Sequence, residues 1–254
     1  MKKKSYAVKL PNTDKNLTRS EEYFILAENG QEQKFKIQDY KQTYKIPSLY
    51  EYVLVDLLKY NTHNILSEFL INEVTKSQSI PSELSVLDLA AGVGLLGQCL
   101  KDKGVTSIVG VDVVIEAAEA AKEERPNLYT KYYVEEFPNV TDEVHNELEN
   151  ANFNCFVCAS ALTGGLPASA FAFAYNLIVD GGWIAFNIRE DLLDTQSQHN
   201  GGKMLATIIK EGILSVKAKQ SYQHRLSVNG NSLNELALIG VKISDIPQTM
   251  ISSD

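Results

Sequence analysis

From residue 84 onward, short apolar runs and helical stretches alternate, an order that few folds accommodate. Ser85-Val86-Leu87-Asp88-Leu89, Ile108-Val109-Gly110-Val111-Asp112 and Tyr132-Tyr133-Val134 are the first strand candidates. Phe153-Asn154-Cys155-Phe156-Val157-Cys158 and Trp183-Ile184-Ala185-Phe186-Asn187-Ile188 come next, and helices fit 94–103, 114–124, 139–150 and 167–179. Such alternation predicts a parallel sheet with helices on both faces. Right-handed crossovers then make it doubly wound. After a helix near 202–211, residues 213–227 read as a long strand, Asn229-Gly230-Asn231 as a turn, and Glu235-Leu236-Ala237-Leu238-Ile239-Gly240-Val241 as a returning strand. An antiparallel hairpin of this kind is not the usual ending of a dinucleotide domain.

The residues before this domain have other patterns. Residues 1–20 are polar and lysine-rich and read as a loose arm. Residues 21–80 predict a β-hairpin and a helical cap. The hairpin pairs Glu22–Glu28 with Gln31–Ile37 around Asn29-Gly30, a dipeptide that tolerates the positive φ of a two-residue turn. One helix opens at Pro47 and runs to about Tyr60; a second spans about 62–76, with Ile65, Leu66, Phe69, Leu70 and Val74 at helical spacing. Residues 81–254 form the main domain.

Composition excludes several classes. The chain has 254 residues, 44% hydrophobic and 22% charged, which rules out a wholly disordered polymer. No run approaches the ~18 apolar residues of a membrane span. The basic start Met1-Lys2-Lys3-Lys4 precedes Ser5-Tyr6-Ala7-Val8-Lys9, not the apolar core of a signal peptide. A soluble, cytoplasmic protein is expected. Its 24 basic and 32 acidic residues give a net charge of -8, against a general nucleic-acid binder. Oligomeric state is not legible. Cys155 and Cys158 resemble a CxxC pair, but positions three apart on a strand face opposite sides, so they read as buried small residues. His63, His145 and His199 lack ligand spacing, and no metal site is expected.

The segment Val86-Leu87-Asp88-Leu89-Ala90-Ala91-Gly92-Val93-Gly94-Leu95-Leu96-Gly97 carries most of the functional argument. A strand feeds a small-residue loop, and the loop feeds a helix whose free N–H groups can face a ligand. Gly92 to Gly97 matches GxGxxG literally, which alone is weak evidence. Asp88 separates two ligand classes. A dinucleotide would bring its pyrophosphate beside that carboxylate, and like charges ~4 Å apart repel by roughly 4 kcal/mol at an effective dielectric near 20. S-adenosylmethionine instead carries an ammonium and a sulfonium, which an acid attracts. Asp88 can also cap the loop. Asp112, twenty residues after Gly92, can accept hydrogen bonds from ribose hydroxyls or cap the helix after it.

Here the chain resembles a family. Asp88-Leu89-Ala90-Ala91-Gly92-Val93-Gly94 is similar to the first motif of class I S-adenosylmethionine-dependent methyltransferases, and Gly110-Val111-Asp112 to their second-strand acid. Val134-Glu135-Glu136-Phe137 resembles the segment contacting adenine, and Val179-Asp180-Gly181-Gly182-Trp183 the turn before strand five. The likeness covers about residues 84–243. It implies a Rossmann-like seven-stranded mixed sheet with the C-terminal hairpin as its last strands. It also implies S-adenosylmethionine contacts from Asp88, Ala90, Gly92, Gly94, Asp112, Val113, Glu136, Phe137 and Ala159. Two residues depart from the pattern. Ala90 replaces a glycine, so the loop is expected to avoid a conformation only glycine tolerates; Glu136 stands where Asp is more usual. Asp39-Tyr40, Tyr44, Ile46-Pro47-Ser48-Leu49-Tyr50-Glu51, Phe186-Asn187-Ile188-Arg189-Glu190-Asp191 and His224-Arg225-Leu226-Ser227-Val228 resemble a bacterial subgroup of uncharacterised methyltransferases. Ala159 to Pro167 is similar to the corresponding loop in Williams–Beuren-region methyltransferase relatives.

Methyl transfer is an in-line displacement at an activated carbon, so it requires orientation more than a catalytic motif. Ligands of open parallel sheets sit beyond the strands' carboxyl ends. Ser160 and Thr163 after strand four, and Arg189 after strand five, are therefore candidate acceptor contacts. Arg189 can clamp a carboxylate or pair with an acid to hold its loop. Glu190 and His224 are the candidate proton acceptors. Tyr40, Tyr44 and Tyr50 can line a lid over the site or pack in a core. The reading is methyl transfer to a small-molecule acceptor, with no nucleic-acid or membrane partner. Its alternatives are a non-catalytic S-adenosylmethionine-binding regulator and, on glycine spacing alone, an NAD-dependent oxidoreductase.

Overall fold

The computed structural model describes residues 6–11, 17–28 and 30–251. Its N-terminal part is a three-stranded antiparallel sheet of β1 (Ala7–Lys9), β2 (Tyr23–Glu28) and β3 (Gln31–Lys36), with β2 in the middle. The expected hairpin is β2–β3, paired from Tyr23↔Lys36 to Glu28↔Gln31. Gly30 takes a φ of +77°, while Asn29 lies outside the described residues. The segment read as a polar arm supplies β1, whose Val8 pairs with Leu26. Its alternation of exposed and half-buried residues is too short for sequence periodicity to register.

Three helices come next: α1 (Tyr40–Tyr44), α2 (Leu49–Glu51), which runs on as a π-helical stretch over Tyr52–Leu57, and α3 (Thr62–Lys76). The sequence did not predict α1, which is a little over one turn long; Thr43 is its buried residue and Asp39 caps it. In the π-helical stretch, Leu58 N–H donates to Val53 O at 3.0 Å, an i→i−5 bond. This wider turn accompanies the burial of Val53, Leu54 and Leu58 together. They pack with Leu49, Tyr60, Phe24, Leu26, Phe35 and Ile37 into a separate small core, in which the Phe24 and Phe35 rings stack at 5.2 Å.

The main domain continues through β4 (Ser85–Leu89), α4 (Leu95–Asp102), β5 (Ser107–Asp112), α5 (Ile115–Glu124), β6 (Lys131–Val134), α6 (Asp142–Asn150) and β7 (Cys155–Cys158). Then come α7 (Ala168–Asn176), β8 (Trp183–Ile188), α8 (Asn200–Lys210), β9 (Leu214–Leu226) and β10 (Ser232–Lys242). The strands form a seven-stranded sheet in the order β6-β5-β4-β7-β8-β10-β9. Neighbours from β6 to β8 are parallel, and β10 is antiparallel to both β8 and β9. This is the expected doubly wound, mixed sheet with its terminal hairpin.

Alternate residues of each strand face opposite layers. Leu87 and Leu89 join one core with Phe171, Tyr175, Phe186 and Leu205. Val86 joins the other, with Leu66, Leu70, Leu96, Leu100 and Ile239. Cys158 falls in the first core and Cys155 in the second, so the CxxC pair is split by the sheet.

The N-terminal part is tied to the main sheet at β9. Leu226 N–H donates to Leu58 O at 2.6 Å, and Asn61 N–H donates to His224 O at 3.0 Å. Beside them Arg225 and Glu22, 5% and 1% exposed, form an ion pair at 2.5 Å, and Glu22 also accepts Val228 N–H at 2.8 Å. Removing one member of such a pair leaves a buried charge without a partner. Glu22→Gln is therefore expected to lower stability by about 3–5 kcal/mol in urea unfolding. A loss no larger than that of an exposed Glu→Gln change would contradict this account of the tie.

Candidate functional site

Strand β4 lies between β5 and β7, so the chain crosses over in opposite directions from its two sides. At such a switch point the loops leaving the carboxyl ends diverge and open a crevice. A cavity of about 350 Å³ lies there, walled by the loops after β4, β5, β6 and β7 and roofed by α1 and α2.

The loop after β4 is shaped by contacts along its length. Asp88, near the end of β4, is 1% exposed and accepts the Tyr129 hydroxyl at 2.9 Å. Asp112, at the end of β5, accepts Gly92 N–H on one oxygen and Val114 N–H on the other, each at 2.9 Å. One carboxylate thus joins two loops and still faces the cavity. Tyr132 donates its hydroxyl to Gly92 O at 2.8 Å. Ala90 takes a φ of +56°, in the small left-handed region that an L-residue can adopt at a cost. These loop contacts hold a conformation that costs an L-residue roughly 1–2 kcal/mol. Ser160, across the cavity, shares the feature with a φ of +62°.

Burial governs the charges. Burial pushes the Asp88 carboxyl up to about 7; the Tyr129 hydrogen bond pulls it down and the nearby Asp112 charge pushes it up. Burial also raises Asp112, against the backbone N–H groups that favour its ionised form. Both acids therefore sit where an arriving cation would restore their preference for the charged state.

The roof is aromatic. Tyr40 and Tyr44 stack at 5.9 Å, and Tyr50 packs edge-on to both, at 6.2 Å from Tyr40 and 5.1 Å from Tyr44. The Tyr44 hydroxyl lies 3.0 Å from the place a Cβ on Gly92 would occupy. Tyr60, at the end of a predicted helix and not among the expected site residues, hydrogen-bonds Ser160 Oγ at 3.0 Å. Glu135 and the 164–167 turn, within segments of the family likeness but not named among its contacts, also line the cavity. The signal for Tyr60 was its place in a run of tyrosines at 40, 44, 50, 52 and 60. The roof is fastened by Ser48 N–H to Glu124 at 2.6 Å and by the Glu51–Arg125 ion pair. Arg125 also donates to Val93 O at 2.9 Å, so one guanidinium links roof and loop.

No family profile and no curated protein sequence matches the chain. Solved structures match it in shape. The N-methyltransferase NodS from Bradyrhizobium japonicum WM9, in complex with S-adenosyl-L-homocysteine, is 14% identical with a TM-score of 0.54, over 81% of this chain and 97% of that one. Magnesium protoporphyrin IX methyltransferase from Synechocystis PCC 6803 with bound S-adenosylmethionine is 13% identical with a TM-score of 0.51, over 71% and 80%. An S-adenosylmethionine-dependent methyltransferase from Clostridium acetobutylicum ATCC 824 is 13% identical with a TM-score of 0.50, over 77% and 96%. The fold is the Rossmann-like methyltransferase fold.

Within this methyltransferase fold the predicted residues divide into two groups. Asp88, Ala90, Gly92, Asp112, Val113, Glu136, Phe137, Ala159, Ser160, Tyr40, Tyr44 and Tyr50 all line the cavity. Gly94, Thr163, Arg189, Glu190 and His224 do not. Gly94 opens α4 at a φ of +88°, and a Cβ there would come within 2.6 Å of Leu128. Thr163 Oγ1 accepts Arg189 N–H at 3.1 Å, while the Arg189 guanidinium is bound to Asp191, with Nε 3.0 Å from Oδ1. The loop-holding alternative for Arg189 is thus the observed one. Glu190 is exposed on a short 3₁₀ turn. His224 is buried behind Tyr60, its ring edge-on at 5.3 Å and its Nδ1 2.7 Å from Thr62 Oγ1. Burial lowers its pKa to about 4, against the pull of Glu235.

The buried acid and the strained alanine each have a measurable consequence. Because native Asp88 holds its proton from its ordinary 3.8 up to about 7, the folded state binds the extra proton in that window and stability falls as pH rises through it. Asp88→Asn should remove this slope, so urea midpoints of variant and parent should diverge in the variant's favour between about pH 5 and about pH 8. Parallel curves would show that the carboxylate is already ionised at pH 5. Ala90→Gly should raise stability by up to about 1 kcal/mol in the same assay, as relief of the positive φ outweighs added chain entropy.

Proposed function

We propose that this chain transfers a methyl group from S-adenosylmethionine to a small-molecule acceptor. The observation that carries this reading is the pair of carboxylates, Asp88 buried and Asp112 half-buried, facing a cavity that no lysine, arginine or histidine lines among the described residues. A pyrophosphate entering there meets acids and no cation, whereas an ammonium and a sulfonium meet favourable potential. The donor set therefore fits S-adenosylmethionine and disfavours a nicotinamide dinucleotide, despite the literal glycine spacing.

In this reading Asp88 faces the methionine ammonium and Asp112 the ribose hydroxyls. Val113, Glu136 and Phe137 border the adenine, and Ala90, Gly92 and Ala159 form the wall along which the cofactor lies. Gly94 acts indirectly, by starting α4. S-adenosylmethionine, when bound, supplies a methyl carbon already activated by its sulfonium. The chain supplies alignment and exclusion of water, and orientation of this kind contributes ~7–11 kcal/mol. Neither Glu190 nor His224 reaches the cavity, so the mechanism assigns them no proton transfer. Thr163 and Arg189 likewise act on the loop and not on the acceptor.

The segments similar to the bacterial subgroup and to the Williams–Beuren-region relatives support a place beside those methyltransferases. A cytoplasmic location accords with that reading. Among the described residues no helix is long and apolar enough to cross a membrane. The placement of Glu190 and His224 outside the cavity favours one second reading, a protein that binds the cofactor without transferring its methyl group. Incubation with labelled S-adenosylmethionine and a metabolite extract separates the two, since only an enzyme transfers label.

Asp112→Ala should weaken S-adenosylhomocysteine binding at least about tenfold in calorimetry, the lower end for a hydrogen bond to a charged group. Unchanged affinity would reject its ribose contact. Stabilisation of the chain by NAD alone in a thermal-shift comparison would reject the cofactor assignment.

A further inference from the structure

The roof and floor of the cavity share one electrostatic sign. Tyr44 stands over Gly92, Tyr40 and Tyr50 pack against it, and Tyr60 reaches Ser160 just beyond the end of β7. This row of rings spans from the glycine loop to the wall after β7. Tyrosine faces carry the negative side of the ring quadrupole and attract cations. Tyr40 stands at the rim, 37% exposed, with its ring available to a ligand entering from solvent. Below the rings lie Asp88, Asp112 and the segment bearing Glu135 and Glu136. The nearby guanidiniums are committed elsewhere: Arg189 to Asp191, Arg225 to Glu22 and Arg125 to Glu51.

Resting on the S-adenosylmethionine reading above, we propose that the acceptor is a small amine, held by the tyrosine row and methylated on nitrogen. The charge balance favours this class. The acceptor leaves its proton with bulk solvent before it enters, and the nitrogen lone pair of the free amine forms the new C–N bond as the C–S bond breaks. The products are an N-methylammonium and neutral S-adenosylhomocysteine. One positive charge thus enters with the sulfonium and leaves on nitrogen, and the lining stabilises it throughout. A carboxylate acceptor would instead enter as an anion among acids and ring faces, with no described basic side chain in the lining to receive it.

The test uses the full chain with S-adenosylhomocysteine bound, and calorimetry with two probes of similar shape, benzyltrimethylammonium and phenylacetate. Benzyltrimethylammonium should bind at least about tenfold more tightly than phenylacetate, as expected for a cation on aromatic faces. Tyr40→Leu should remove most of that preference, while Tyr40→Phe, which keeps the ring, should retain it. With labelled S-adenosylmethionine, benzylamine should take up label and phenylacetate should not. Equal or tighter binding of phenylacetate, equal losses in the two Tyr40 variants, or label in phenylacetate alone would overturn the proposal while leaving the cofactor reading intact. Failure of the parent chain to bind S-adenosylhomocysteine would overturn the cofactor reading and this one with it.

Discussion

Asp112 bridges the two loops on which the site depends. Because β4 and β5 run side by side in the same direction, their carboxyl ends open at the same edge, and the parallel ladder itself does not join the loops that leave them. The Asp112 carboxylate does so, accepting one N–H from the β4 loop and one from its own turn. Held in this way, the β4 loop keeps Ala90 at a positive φ and Gly92 under Tyr44. Strain of this sort persists only where surrounding contacts over-determine it, and it clusters at ligand sites. Ala90 and Ser160 show it on two sides of one cavity.

A second set of polar contacts supports the wall opposite. Ser160 N–H donates to Asn187 Oδ1 at 2.7 Å, Asn187 donates to Glu235, and Arg19 reaches Glu235 at 2.5 Å. Asn187 and Glu235 are buried, so their satisfaction is a condition of the fold as well as of the site. The chain of contacts runs from the N-terminal segment, through the β8–β10 pairing, to the residue that meets Tyr60. The wall is therefore braced in part by Arg19, from the segment that composition read as a loose arm.

The sheet was legible because its signals are local and repeated. Strand runs such as 85–89 and 183–188, and the helix at 62–76, coincide with the observed elements to the residue. The cofactor side of the cavity was legible for a related reason: Asp88, Gly92 and Asp112 lie at or just past strand ends whose position comes from the alternation itself. What failed was what depends on side-chain direction. Arg189, Glu190 and His224 stand at the right ends of strands in sequence, but Asp191, solvent and Thr62 take up their polar atoms or surroundings instead. β1 and α1 were missed because three and five residues carry too little periodicity. Tyr60 was missed because its partner, Ser160, is one hundred positions away.

That separation bears on how the chain is tied together. The roof and the small N-terminal sheet are anchored by residues well separated from them in sequence: Glu124 and Arg125 for α2, and Arg225, 203 positions after Glu22, for the sheet. Without β9, Glu22 lacks its Arg225 counter-charge. The small N-terminal sheet is thus tied down by a contact between residues 203 positions apart, so its docking carries the entropy cost of closing a long loop.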